Sequence, residues 1–190
     1  NNQRLVLDFY SDHIFRMFQD INGGIIREPE ATPEAQILVD NPRSIVSSLN
    51  VIDENNEIKI ETSDIIVIVS KTKGILKAIN KKTNKTVIEF EGSPQFEKNK
   101  VSLTLKNNID EYFYGGGVQN GRFSHKGKVI SIENQNSWTD GGVASPTPFY
   151  WSTKGYGILW YTFKKGKYDF GSQEKEKVIL YHETSYLDVF

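Results

Sequence analysis

Short runs of β-branched and aromatic residues recur along the whole chain, and no segment shows the period of an amphipathic helix. The longest apolar run, residues 65–69, fits a buried strand and is far shorter than the roughly 20 residues that span a bilayer. Glycine, proline and asparagine separate most runs, as expected of turns. The pattern therefore predicts an all-β sandwich of antiparallel strands.

The predicted strands cover residues 4–10, 14–18, 44–49, 57–62, 65–70, 75–79, 86–90, 101–105, 128–132, 156–162, 167–170, 177–181 and 186–190. Residues 28–42 contain three prolines and are predicted to form a surface loop. Residues 115–117, three consecutive glycines, are predicted to form a corner packed closely against aromatic side chains.

Nothing in the sequence divides it, so residues 1–190 are predicted to form a single domain. The sequence begins with Asn1 and ends in the strand-like segment 186–190. We therefore expect a fragment of a larger protein. A soluble protein is expected, and a cytoplasmic location and a secreted or periplasmic one are both compatible with the sequence.

The charge balance argues against two classes of partner. The chain has 23 basic and 24 acidic residues and a formal net charge of -1, so neither nucleic acid nor an anionic membrane surface is expected to bind it. It has no cysteine, which excludes disulfides and thiolate chemistry.

No catalytic residue, cofactor site or metal site is predicted. His13, His125 and His182 are scattered without the spacing of metal ligands, and are interpreted as structural or surface residues. The glycines at 115–117 are not followed by the Lys-Ser/Thr ending of a phosphate-binding loop. No nucleophile elbow is present, and no carboxylate pair stands in a catalytic context.

The strongest binding signal lies in residues 134–142, which read Asn-Gln-Asn-Ser-Trp-Thr-Asp-Gly-Gly. Amides and glycines predict an exposed loop. Asn136, Trp138 and Asp140 suit a sugar, because an aromatic ring covers the apolar face of a pyranose while amides and carboxylates bind its hydroxyls. The alternative is an Asx-turn at Asp140 with Trp138 folded onto the core.

Two motifs resemble a known family. Residues 112–117 read Tyr-Phe-Tyr-Gly-Gly-Gly, and resemble the Phe-Tyr-Gly-Leu-Gly-Glu element of glycoside hydrolase family 31, the α-glucosidase and α-xylosidase family. Residues 148–158 resemble its Pro-Tyr-x-x-Ser-x-x-Gly-Tyr-Gly-Val strand pair. Gly117 and Val118 stand near the family's usual Glu-Arg. The likeness is to the N-terminal β-sandwich domain and spans nearly the whole chain.

This resemblance implies a galactose-mutarotase-like supersandwich that packs against a catalytic (β/α)8 barrel located after residue 190. It also implies a loop over the substrate pocket, with Asp140 contacting sugar hydroxyls, Trp138 beside it and Asn136 nearby. Family members hydrolyse α-glycosides with retention through two aspartates of the barrel. We therefore expect this chain alone to be inactive and the complete protein to act on an α-linked oligosaccharide or glycoside.

Three alternatives stay open from the sequence. The chain could be a free-standing carbohydrate-binding module that uses the same loop. It could be a mutarotase-like epimerase, although its histidines do not fall in the motifs of that family. It could also be a purely structural interaction domain, which an exposed apolar face would indicate.

Overall fold

A computed structural model describes residues 4–24 and 45–190, and within these ranges the chain is built from β-strands without an α-helix. The strands are β1 (Leu5–Ser11), β2 (Ile14–Asp20), β3 (Asn50–Asp53), β4 (Glu57–Glu61), β5 (Ile65–Ser70), β6 (Leu76–Asn80), β7 (Lys85–Glu89), β8 (Gln95–Glu97), β9 (Lys100–Lys106), β10 (Phe113–Gln119), β11 (Val129–Ile132), β12 (Val143–Ser152), β13 (Tyr156–Leu159), β14 (Gly166–Phe170), β15 (Lys177–His182) and β16 (Tyr186–Val189). None of the described residues forms a helix that could span a membrane.

The strands form two layers, and each layer joins two sheets. In the first layer, β1-β2-β16 and β10-β12-β13 meet through a bridge between Trp160 and Val189. In the second layer, β3-β4-β5-β6-β7 and β11-β14-β15-β9-β8 meet through a bridge between Phe90 and Leu105. The pairing between neighbouring strands is antiparallel throughout the ladders.

Aromatic side chains fill the space between the layers. Phe113 of β10 stacks on Phe170 of β14 with ring centroids 4.8 Å apart, and Tyr150 of β12 meets the same ring edge-on at 5.0 Å. Trp160 contacts His182 of β15 at 4.9 Å. All five side chains are fully buried, as expected for the inward positions of strands whose residues alternate between faces. The predicted all-β sandwich of antiparallel strands is confirmed.

The last strand is fixed to the first hairpin by a buried ion pair. Arg16 of β2 donates to Asp188 of β16 through Nε to Oδ1 and through Nη2 to Oδ2, both at 2.6 Å. The guanidinium also lies over the rings of Tyr161 and Phe190. Burial alone would lower the pKa of Arg16, but the hydrogen bonds and charge of Asp188 outweigh it and raise that pKa above its usual value.

Several strand predictions differ from the structure. The strand predicted over 44–49 is wrong for residues 45–49, which form no strand, and residue 44 lies outside the described residues. The edge strand is β3 instead, whose residues are all exposed and therefore show no alternating pattern. The loop predicted over 28–42 also lies outside the described residues.

The predicted glycine corner at 115–117 is instead the middle of β10. Gly115 and Gly117 pack closely against the backbone of β12 rather than against aromatic side chains. The ladder between β10 and β12 shifts register between Gly115 and Gly117, as at a bulge. The local strand signals did not include β12, but the family resemblance predicted a strand pair over residues 148–158, and β12 and β13 form that pair. Pro146 lies opposite Gly117 next to that irregularity, where a proline is tolerated. Pro148 still takes part in the sheet as an acceptor, since its carbonyl accepts a bond from Trp160 N at 2.8 Å.

Candidate functional site

The loop of residues 134–142 connects β11 to β12 and is closed by its own hydrogen bonds. Ser137 N donates to Val143 O at 3.1 Å, and Gly142 N donates to Thr139 O at 2.9 Å. Ser137 Oγ and Thr139 Oγ1 share a further bond of 3.0 Å. A β-carbon at Gly142 would lie 2.7 Å from Ser137 Cβ, so this tight closure requires glycine. The loop therefore has a defined backbone although its side chains are exposed.

A second set of bonds ties the loop to the turn that follows β10. Asn120 N donates to Gly142 O at 3.0 Å, and Gly141 N donates to Asn120 O at 2.9 Å. The Asn120 side chain donates from Nδ2 to Ser137 O at 2.7 Å. Three bonds from one neighbouring turn thus hold both ends of the Ser-Trp-Thr-Asp-Gly-Gly segment in place.

Asp140 is exposed on this loop and lies over Gly121. A β-carbon at Gly121 would lie 2.7 Å from Asp140 Cγ, so the absence of a side chain there makes room for the carboxylate. Among the described residues, no hydrogen bond or ion pair engages the Asp140 oxygens. The neighbouring Arg122 is turned to the sheet, where its Nη1 donates to Val129 O at 2.7 Å. The Asp140 carboxylate can therefore accept bonds from outside the molecule.

Trp138 and Asn136 project from the same loop. The Trp138 side chain is 73% exposed, so it is not folded onto the core. Asn136 is also exposed and has a positive φ of 47°, with its N–H bonded to Asn134 Oδ1 at 2.9 Å. The Asx-turn alternative is wrong, because Asp140 accepts no bond within its own turn. The structure places all three predicted residues on one exposed loop, and their binding of sugar stays a prediction.

Three aromatic residues on β10, β12 and the segment after β10 form a group that was not predicted, with Trp151 and Phe123 exposed and Tyr114 half-buried. Tyr114 and Trp151 are directly opposite each other on β10 and β12, with their rings stacked at 4.5 Å. Phe123 meets Tyr114 edge-on at 5.6 Å and is 88% exposed. We call these three residues the outer aromatic cluster. Phe123 follows Gly121 by two residues, in the segment between β10 and β11.

The histidines lie away from this loop, and two of them are built into the core. His182 is fully buried, with Nε2 accepting from Tyr168 Oη at 2.9 Å and Nδ1 donating to Lys164 O at 2.8 Å, and burial lowers its pKa to about 4. His125 Nε2 donates to Gly115 O at 2.7 Å, and burial also lowers the pKa of His125. His13 is exposed beside Asp64 at 3.3 Å. The described part of the chain contains no group of three acidic, histidine or cysteine side chains that could hold a metal ion.

The buried carboxylates are engaged in the fold. Glu111 accepts from Ser152 Oγ at 2.5 Å and pairs with Lys154 at 3.3 Å, which joins the start of β10 to the turn between β12 and β13. Asp169 accepts from the backbone of Ser172 at 2.6 Å. With Asp188 bound to Arg16, these acids serve structural roles rather than facing a common pocket.

Solved structures with this fold come from multidomain enzymes. A Flavobacterium johnsoniae GH31 dextranase complexed with isomaltotriose superimposes with a TM-score of 0.86 at 18% identity, over 100% of this chain and 23% of that chain. A GH31 α-xylosidase from a soil metagenome, complexed with xylose, gives 0.78 at 16% identity, over 98% and 29%. The cycloalternan-forming enzyme of Listeria monocytogenes, with a pentasaccharide substrate, gives 0.81 at 18% identity, over 98% and 18%. At these identities the likeness shows the fold alone.

The sequence comparisons agree with the structural ones. α-Xylosidase A of Aspergillus niger is 38% identical over 64 residues, which make up 33% of this chain and 8% of that enzyme. Residues 4–169 match the Glycosyl hydrolase 31 N-terminal galactose mutarotase-like domain, which confirms the predicted supersandwich fold and the family resemblance. Because this match covers most of the 190 residues, the chain belongs to the N-terminal galactose mutarotase-like domain family of the glycoside hydrolase family 31 enzymes.

Proposed function

We propose that this chain is the non-catalytic N-terminal domain of a retaining α-glycosidase. In the proposed arrangement it packs on the catalytic barrel of the same polypeptide and presents the loop of residues 134–142 to the substrate pocket. The substrate is an α-linked oligosaccharide or glycoside. The related proteins support this class, since they include a dextranase complexed with isomaltotriose and an α-xylosidase complexed with xylose.

The observation that carries the proposal is the unengaged Asp140 carboxylate on a loop with a fixed backbone. A carboxylate can accept hydrogen bonds from two neighbouring sugar hydroxyls, and each such bond is worth about 1.5–3 kcal/mol when water is excluded. Trp138, 73% exposed on the same loop, offers a ring for the apolar face of the sugar. The domain then contributes to binding and orientation of the substrate rather than to bond cleavage.

Hydrolysis with retention needs a nucleophile and an acid/base whose carboxyl groups are about 5–5.5 Å apart on either side of the scissile bond. The buried Glu111, Asp169 and Asp188 are occupied by structural partners. The two catalytic carboxylates are therefore assigned to the barrel.

The test uses the complete polypeptide and the 190-residue chain with a panel of aryl α-glycosides. We expect activity only in the complete polypeptide, and the preferred glycoside would name the sugar. Asp140→Asn in the complete polypeptide should lower kcat/KM by about tenfold or more, equal to the loss of about one such bond. Asp110→Asn, which changes an exposed carboxylate outside the loop, is the matched control. Unchanged kinetics in Asp140→Asn, or hydrolysis by the isolated chain, would contradict the proposal.

The outer aromatic cluster favours a second candidate, a carbohydrate-binding module. The exposed Trp151 ring, stacked on the half-buried Tyr114, offers a platform for a sugar that needs no barrel. Calorimetry of the isolated chain with isomaltotriose distinguishes the two. Binding that is abolished by Trp151→Ala and unaffected by Asp140→Asn would support the module. A mutarotase-like activity has less support, because His125 and His182 are buried and bonded to core groups.

A further inference from the structure

A gap one strand wide interrupts the first layer of the sandwich. Strand β16 lies between β2 and β13 up to Phe190, which exchanges two backbone bonds with Leu159 at 2.9 and 3.0 Å. Beyond Phe190, β2 continues to Ile14 and β13 continues back to Tyr156. Within residues 4–24 and 45–190, no strand lies between these two segments.

The ladders on both sides of the gap define the same missing strand. Val189 is opposite Met17 on β2, so the first residue after Phe190 would be opposite Phe15. On the other side Phe190 pairs with Leu159, so the second residue after Phe190 would be opposite Gly157. Backbone groups alternate in direction along an antiparallel strand. The first residue would therefore bond to Phe15 and the second to Gly157.

A cleft of about 690 Å³ lies under the gap and is lined mostly by apolar side chains. Representative lining residues come from both layers, namely Met17, Ile65, Leu76, Phe90 and Ile158. Protein interiors are close-packed, so an apolar space of this size in a core is unusual. Its position shows where additional side chains would complete the packing.

Side-chain alternation along β16 fixes what would enter the cleft. Leu187 and Val189 belong to the buried core, while Phe190 packs against Tyr10 and Tyr161 on the opposite face at 5.0 and 5.8 Å. Because successive side chains of a strand point to opposite faces, the next side chain points inward. The cleft would therefore receive the first residue after Phe190.

We propose that the segment directly following Phe190 in the complete polypeptide extends β16 through this gap. It pairs with Phe15 on one side and Gly157 on the other, and places an apolar side chain in the cleft. This inference rests on the proposed function, in which a catalytic barrel follows the domain. The connection toward the barrel is then a strand of the sandwich, integral to the sheet, rather than a flexible linker.

Amide hydrogen exchange tests the proposal without any sugar or activity measurement. In the complete polypeptide, the amides of Phe15 and Gly157 should exchange about a hundredfold more slowly than in the 190-residue chain. The amide of Ile109, in an exposed loop, is the matched control and should exchange equally in both. Equal exchange of the Phe15 and Gly157 amides in the two proteins would overturn the proposal.

Two variants of the complete polypeptide test the backbone pairing and the side-chain packing of the segment after Phe190 separately. Proline at the second position after Phe190 removes the donor to Gly157 and should speed exchange of the Gly157 amide. Aspartate at the first position should lower the melting temperature, because it would bury a charge in the cleft. If both changes have no effect, the segment lies elsewhere. Concentration-dependent protection in the 190-residue chain would instead place a second copy in the gap and overturn the proposal. The Asp140→Asn kinetics are independent of all these results.

Discussion

Asp140 occupies the space that a side chain at Gly121 would need, since a β-carbon at Gly121 would lie 2.7 Å from Asp140 Cγ. The turn after β10 therefore determines where the candidate sugar-binding carboxylate stands. Gly121 also has a φ of +69°, which disfavours any other residue. Gly121 therefore sets both the position of the Asp140 carboxylate and the conformation of the turn.

Gly121→Ala should consequently have two separable effects. The positive φ should cost about 1–2 kcal/mol of stability, and displacement of Asp140 should raise KM in the complete polypeptide. Gly127→Ala is a matched control, because Gly127 has the same φ of +69° and nothing within 4 Å of its β-carbon position. We expect similar losses of stability in urea unfolding and impaired kinetics only for Gly121→Ala. Equal kinetics in the two variants would show that Asp140 needs no fixed position.

His182 should make the domain less stable in mild acid. Burial lowers its pKa from 6.5 to about 4, so the folded state favours the neutral ring. The stabilising contribution is complete above pH 6.5 and is lost as the pH falls through the interval down to about 4. Over that interval the loss should approach about 3 kcal/mol.

The measurement is urea unfolding at several pH values across this window, compared with His182→Gln. Removing the titrating ring should flatten the pH dependence relative to the unmodified chain, even if the variant is less stable at neutral pH. A His182→Gln profile parallel to that of the parent would contradict the prediction.

Breaking the Arg16–Asp188 pair should be costly. Asp188→Leu leaves a buried guanidinium without its bidentate partner, and such losses are typically about 3–5 kcal/mol. Replacing both residues, as Arg16→Met with Asp188→Leu, removes both charges and should recover most of the stability. Thermal unfolding of Asp188→Leu, Arg16→Met and the double variant gives the coupling free energy between the two side chains. Additive losses would mean that the pair contributes no coupling of its own.

Trp138 should contribute little to folding. Its side chain is 73% exposed, so Trp138→Ala should change the free energy of unfolding by less than about 0.5 kcal/mol. Trp160→Ala, which removes a fully buried ring, should cost about 3–5 kcal/mol. Circular dichroism during urea unfolding gives both values. A large loss for Trp138→Ala would indicate that the ring packs against the domain instead of facing a ligand.

The fold could be predicted where runs of apolar residues mark a strand, and local patterns failed where contacts between distant segments decide the structure. Strand β5 matches the predicted 65–70, which was recognised by its five consecutive apolar residues. Strand β12 carries Pro146 and Pro148, which local rules exclude from a central strand. Its place in the sheet depends on the irregular ladder with β10, a relationship between distant segments that a single sequence does not show.

The candidate site also has one part that could be predicted from the sequence and one part that could not. Asn136, Trp138 and Asp140 could be predicted because they share one short polar segment, and the structure places them on one exposed loop. The outer aromatic cluster could not be predicted, because Tyr114 and Trp151 come into contact only through the register of β10 against β12. The available signal was the run of three aromatic residues at 149–151, but it does not identify the partner ring.

The pairing of β2 with β16 also has a consequence for synthesis on the ribosome. Arg16 and Asp188 are 172 residues apart, so the first hairpin leaves the ribosome long before its partner strand exists. At a synthesis rate of about 5–20 residues per second, roughly 10–35 s pass between the synthesis of Arg16 and that of Asp188. During that interval the nascent chain exposes the edge of β2 that β16 covers in the folded domain. Mutations in β16 should therefore reduce the yield of folded protein in cells more than their effect on equilibrium stability would suggest.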